Sequence, residues 1–151
     1  MKLKNKNAII TGGSRGIGGA ISKLFAEEGA NITFCHLNDD KNSNEMKNYI
    51  LSLGRKCLDL NIDISSRENC NLLVSKSIEQ VGSPDILVNN AGIIFARPFE
   101  EATEEEFDKT INVHLKSTFF ITQNCYKEML KKKIRENYKY LLSTSILRWS
   151  K

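Results

Sequence analysis

The chain has 151 residues, 40% of them apolar and 26% charged, the size and balance of one domain (1–151) with a core of its own. Its net charge is +4, from 22 lysines and arginines against 18 acids, and the basic residues are scattered rather than gathered with aromatics on one face, which argues against a nucleic-acid partner. No stretch has the length and apolarity of a signal peptide or a membrane span, so the expected setting is the cytoplasm, away from membranes.

Strand and helix patterns alternate along the chain. Asn7 to Thr11 is short and apolar and reads as a first strand. Gly16 to Glu28 places Ile17, Ala20, Ile21, Leu24 and Phe25 on one helical stripe, and Gly29 ends it. Asn31 to His36 is rich in β-formers. A polar, asparagine-rich stretch from Asn38 to Asn48 leads into a helix ending near Gly54, and Lys56 to Asn61 is a weaker third strand. Ser65 and Glu68 form a predicted capping box for a helix carrying Cys70, Leu73, Val74, Ser77, Ile78 and Val81. Gly82 to Asp85 is a turn, and Ile86 to Val88 is a fourth strand entering "NNAG". Thr103 and Glu106 form a second capping box for a long helix, with acids at its start (Glu104 to Glu106) and Lys131 to Lys133 at its end, where both blocks suit the helix dipole. Tyr140 to Ser145 reads as a fifth strand.

This order predicts an α/β fold with a parallel sheet covered on both faces and right-handed crossovers. Ligands of such sheets bind at the carboxyl ends of the strands. "TGGSRGIG", Thr11 to Gly18, lies at such an end and opens a helix. Its glycines permit positive φ and close approach, and the amides of a helix N-terminus favour an anion. A pyrophosphate is the natural guest.

The spacing Thr-Gly-x-x-x-Gly-Ile-Gly, together with Asn89-Asn90-Ala91-Gly92 after the fourth strand, resembles the short-chain dehydrogenase/reductase family. "ARPFEEATEEEFDKTINVHLKSTF" is similar to that family's segment leading into its long dimer-forming helix. The resemblance implies a Rossmann-type doubly wound parallel sheet, here truncated after the fifth strand. It implies that Gly12, Ser14, Arg15, Gly16, Ile17 and Gly18 wrap the cofactor phosphates. Asp63 and Ile64, in "NIDIS", match residues beside the adenine, though Asp63 also reads as a loop or helix-capping acid. Asn89, Ala91 and Gly92 match the turn beside the adenosine ribose and the nicotinamide.

An NAD site usually carries an acid at the end of the second strand, for the ribose 2′-hydroxyl. His36 stands there, and Arg15 can supply a positive charge to a 2′-phosphate, so NADP(H) is favoured over NAD(H). Asp39 and Asp40 lie close enough to keep NAD(H) open.

The resemblance further implies hydride transfer between nicotinamide and a small carbonyl or alcohol substrate. It calls for a tyrosine as acid or base, a lysine four residues later, a serine on the substrate oxygen and an asparagine in the long helix. Ser145 matches the serine better than Ser143 does. The asparagine's position holds His114, which reads equally as a relay through imidazole or as a packing histidine. Asn112, two residues earlier, lies about 200° around an ideal helix. No tyrosine qualifies: Tyr49, Tyr126 and Tyr138 are followed at the fourth place by leucine, and Tyr140 by Thr144. The expectation is therefore an N-terminal piece of an NAD(P)(H)-dependent oxidoreductase, inactive alone, whose complete form is a homo-oligomer. A non-catalytic nucleotide-binding module and a functionless remnant are the alternatives. Substrates of the 3-oxoacyl-carrier-protein and sugar classes both fit this half of the family. The four cysteines, at 35, 57, 70 and 125, have no metal-ligand or redox spacing and are expected to be reduced and mostly buried.

Overall fold

A computed structural model of the chain describes residues 1–96 and 98–132 and the backbone of 141–143. Five strands form one parallel sheet: β1 (Asn7–Thr11), β2 (Asn31–His36), β3 (Cys57–Asn61), β4 (Ile86–Asn89) and β5 (Leu141–Ser143). Their order across the sheet is β3-β2-β1-β4-β5. The helices are α1 (Gly16–Glu27), α2 (Asp40–Ser52), α3 (Arg67–Gln80), α4 (Glu104–Ile111) and α5 (Ser117–Lys131).

The strands are nearly continuous apolar runs because both faces of the sheet are covered. Alternate residues point to opposite sides. Ala8 and Ile10 join Ile32, Phe34, Ile86 and Val88 on one face, against Ile21, Phe25 and Ala26 of α1 and Met46 and Ile50 of α2. Ile9, Cys35 and Leu87 face the other way and meet Cys70, Leu73 and Val74 of α3 and Ile121 and Cys125 of α5. Phe34, Leu73 and Ile121 are fully buried, each worth about 1.5–3 kcal/mol in removal from water.

The chain lays down β1, β2 and β3 in one direction and then returns to place β4 on the other side of β1. The strand order therefore reverses between the carboxyl ends of β1 and β4, where an open sheet leaves a crevice for a ligand.

Three sequence expectations are corrected. The polar stretch from Asn38 is not a lead-in: α2 begins at Asp40, because Ser43, Met46 and Ile50 turn one face onto the first core. The cap of α3 is Ser66 rather than Ser65, and its hydroxyl accepts from the Asn69 amide. The long helix is interrupted by a π-helical turn over Asn112–Lys116, so the ideal-helix offset between Asn112 and His114 does not apply. The Thr103–Glu106 capping box forms as expected, with both reciprocal hydrogen bonds present. Of the lysine run at the end of α5, Lys131 pairs with Glu128 at 2.6 Å and Lys132 with Asp85 at 3.3 Å. No helix among the described residues is long and apolar enough to cross a membrane.

Candidate functional site

The turn between β1 and α1 holds two glycines in the left-handed region, Gly12 at φ +66° and Gly16 at φ +56°. Nothing lies within 4 Å of where a Cβ on Gly16 would stand, so the turn faces open space there. Gly13 and Gly18 serve the opposite end. A Cβ on Gly13 would meet Phe34 Cβ at 2.5 Å and Ser22 Oγ at 2.8 Å, and one on Gly18 would collide with the Gly12 carbonyl oxygen and Asn90 Nδ2. Ser22, buried beneath the turn, lies 3.0 Å from the Gly13 oxygen and 2.9 Å from that of Gly18. The N-cap of α1 is Arg15 in extended conformation, with no side-chain cap and no acid in the first turn. The first-turn amides of α1 are thereby left with a positive dipole end and no competing carboxylate from their own helix.

The turn after β4 is fastened to this loop. The backbone N–H groups of Asn90 and Ala91 both donate to Thr11 Oγ1 at 2.9 Å. Asn90 Nδ2 donates to the carbonyls of Thr11 (2.9 Å) and Gly12 (3.2 Å). Asn89 Nδ2 reaches Thr122 Oγ1 on α5 at 3.1 Å. Gly92 makes room for an imidazole: a Cβ there would meet His114 Cε1 at 2.6 Å. His114 Nε2 sits 3.0 Å from the Ile93 nitrogen and 2.9 Å from its oxygen, so the ring's tautomer decides whether it accepts from the amide or donates to the carbonyl. His114 lies within the π-helical turn, a distortion often found at functional sites.

At the far end of the cleft, β2 closes on buried His36, followed by Leu37 and Asp39. Asp39 is held below the ordinary carboxylate range, first by the hydrogen bond from Ser14, with Asn42, Arg15 and His36 adding to it against a desolvation penalty. Asp63 accepts from the Ser65 amide at 2.9 Å, and its carbonyl accepts from Asn69 Nδ2 at 2.7 Å. Ile64 is buried in the second core.

A cleft of about 390 Å³ gathers Gly12, Ser14, Arg15, His36, Asp39, Asp63, Ile64, Asn90, Ala91 and Gly92 around one space. Of the sequence-predicted residues, Gly18 and Asn89 lie behind this wall, and Ile17 projects into solvent. His114 stands behind Gly92 and Ile93. Ser145 falls outside the described residues. Thr11 and Asn90 are not among the site residues expected from the sequence, whereas Asp39 is expected there only as an acid that keeps NAD(H) open. For Thr11 and Asn90 the available signal was two hydrogen-bonding side chains ending neighbouring parallel strands.

Of the four thiol residues, Cys35 lies among those lining the cleft. Burial pushes Cys35, Cys57 and Cys125 up to about 12 and Cys70 to about 11, so all four stay protonated at neutral pH.

Residues 6–135 match the family model described as short chain dehydrogenase. An L-rhamnose 1-dehydrogenase (NADP(+)) of Thermoplasma acidophilum is 38% identical over 146 residues, which is 97% of this chain and 57% of that protein. A 3-oxoacyl-acyl-carrier-protein reductase of Chlamydia muridarum is 35% identical over 129 residues, 85% of this chain and 52% of the relative. A short chain dehydrogenase of Burkholderia cenocepacia, solved in complex with NADP, matches with a TM-score of 0.82 at 32% identity, over 84% of this chain and 52% of that one. A blue fluorescent protein from a metagenomic library, solved in complex with NADPH, matches at 0.80 and 33%, with the same coverage of 84% and 52%. The chain thus spans about half the length of these relatives. With the glycine turn, the fastened β4 turn and the reversed strand order at one crevice, it belongs to the short-chain dehydrogenase family.

Proposed function

We propose that the chain is the dinucleotide-binding part of a cytoplasmic oxidoreductase acting on the carbonyl or alcohol carbon of a small molecule, with NADP(H) taken in preference to NAD(H). The observation that carries this reading is the unobstructed space over Gly16, at an uncapped helix N-terminus and next to Arg15, which lines the crevice where the strand order reverses. When bound, the nicotinamide supplies or accepts the hydride. The chain's own residues bind and orient. Main-chain amides of Ser14 to Gly18 hold the paired phosphates, the adenine rests beside Asp63 and Ile64, and the ribose and nicotinamide lie along Asn89 to Gly92.

His114 acts at Ile93, fixing the backbone at the nicotinamide end and standing where a proton can be passed through its ring. Ser145 takes the substrate oxygen. The preference for NADP(H) is supported by the absence of an acid at His36, by Arg15 at the cleft, and by the NADP and NADPH of the two similar structures. The free thiols suit a reducing compartment. Phe107, Ile111, Leu115, Phe119, Tyr126 and Leu130 form an exposed apolar row along α4 and α5, which supports self-association of the complete protein. Sedimentation velocity would count against that if it gave only monomers.

No tyrosine in these 151 residues has a lysine four places on, and we read the chain by itself as binding without turnover. Calorimetric titration with NADPH is expected to give saturable binding. Gly16→Ala should weaken it at least about tenfold, near 1.4 kcal/mol, by placing a methyl group in the phosphate space. Absence of binding by the unmodified chain would sink the reading, and ketone reduction by the chain alone would sink its non-turnover part.

A further inference from the structure

Ser22 sits in the second turn of α1 and is fully buried. A serine hydroxyl inside a helix ordinarily bonds back to the carbonyl four residues earlier, and Ser22 Oγ lies 2.9 Å from the Gly18 oxygen. It also lies 3.0 Å from the Gly13 oxygen, which belongs to the glycine turn and not to the helix. The hydroxyl has one proton for these two carbonyls. The Gly18 oxygen is already served by the helix's own amide four residues on. Among the described residues, the Gly13 oxygen has no donor besides Ser22 Oγ. A buried carbonyl left without a donor is costly, and Gly13 is buried, so the proton belongs to Gly13.

The consequence falls on the next residue. The peptide between Gly13 and Ser14 is trans, and a trans peptide is a plane whose N–H points opposite its C=O. Tying the Gly13 carbonyl down to Ser22 therefore turns the Ser14 N–H away from the packed side. On that side a Cβ on Gly13 would meet Phe34, whereas Gly12, Ser14 and Arg15 line the cleft. Among the described residues, the Ser14 N–H has no acceptor, although the Ser14 hydroxyl donates to Asp39 at 2.6 Å. We propose that Ser22 is a positioning residue: its hydroxyl holds the Gly13–Ser14 peptide so that the Ser14 N–H donates to the paired phosphates of the dinucleotide. This rests on the dinucleotide reading above. Ser22 itself touches no part of the guest. Glycine on the carbonyl side leaves this peptide free to rotate, and the buried hydroxyl removes that freedom. An amide already aimed loses less on binding than one that must first be turned.

The test is titration of NADPH, NADH and adenosine into the isotope-labelled chain and Ser22→Ala, followed by amide chemical shifts. In the unmodified chain the Ser14 amide proton should move downfield with either dinucleotide and stay in place with adenosine, which carries no phosphate. In Ser22→Ala that displacement should shrink, and both dinucleotides should bind about fivefold more weakly, the worth of one ordinary hydrogen bond, with adenosine affinity unchanged. Ser22→Cys fills the same space with only a weak donor and should show the same pattern, which separates lost orientation from lost packing. Equal weakening of all three ligands would make Ser22 a mere prop of the cleft and overturns the proposal. So do unchanged dinucleotide affinity, weakening confined to NADPH, and a Ser14 amide that NADPH leaves unmoved at saturation in the unmodified chain. Should the unmodified chain bind neither dinucleotide, the dinucleotide reading itself fails and the proposal goes with it.

Discussion

At the amino ends of the strands, Asn7, Asn31 and Asp85 spend polar groups on one another; at the carboxyl ends, Gly12, Ser14 and Asp39 line a cleft. Asn7 donates its N–H to Asp85 Oδ2 at 2.9 Å and its amide Nδ2 to the Ser83 carbonyl at 3.1 Å. Asn31 Nδ2 donates to Asn7 Oδ1 at 3.0 Å, and Lys132 closes on Asp85 from α5. Gly82, at φ +131°, is as left-handed as any glycine of the binding turn, but a Cβ on it would meet Asn7 Nδ2 at 2.6 Å. Gly16 has nothing there. Positive φ alone thus separates neither end. Empty space beside it does not suffice either, since Gly54 after α2 has φ +70° and nothing within 4 Å. Gly16 differs in opening an uncapped helix at the carboxyl end of β1.

Mutations sharpen this comparison. The largest expected effect is at Gly18, which sits in the packed half of the binding turn. Gly18→Ala should cost about 3 kcal/mol in urea unfolding and abolish NADPH binding, because its methyl group collides with main chain that cannot swing away. A variant as stable as the parent would mean the turn is not packed in this way. Next comes the sealed end. Asp85→Ala leaves the Asn7 amide and Lys132 without their buried acceptor and should cost about 2 kcal/mol, while NADPH affinity stays the same. A change in affinity would break the separation of the two ends.

The smallest effect is on the acid limb. Asp39 titrates below its unfolded value, so its contribution is complete above about pH 3.9 and is lost as pH falls through the lower folded value. Urea unfolding followed from pH 5 to 2.5 should show a shallower loss for Asp39→Asn than for the parent. Identical acid limbs would argue that Asp39 has no such coupling to the turn.

The five strands and the glycine turn were legible because burial on two faces leaves apolar runs and because main-chain approach to a ligand demands glycine at fixed spacing. The start of α2 was hidden by its composition. Asp40 to Asn48 is full of residues that compete with the helix for backbone hydrogen bonds, and only packing of Met46 and Ile50, with Ser43 and Lys47 tied to Asp59 at 3.1 and 2.6 Å, holds it helical. Ser65 and Ser66 are chemically equivalent, and the choice of cap was made by Asp63, which takes the Ser65 amide for itself. The π-helical turn left no mark in the apolar spacing. His114 was noticed by position, but its dependence on Gly92 and Ile93 needs the two segments side by side, 21 residues apart in the chain.

Thr11 has a consequence for the energetics of entry. Its hydroxyl oxygen accepts two amides, from Asn90 and Ala91, and its own proton is aimed at the Val88 carbonyl 3.5 Å away, which leaves it no capacity to recruit an incoming molecule. It works as a rivet joining two lips of the crevice whose segments are some eighty residues apart in the chain. A guest arriving there meets a mouth that is already shaped, and little of its attraction is dissipated in stiffening loose chain.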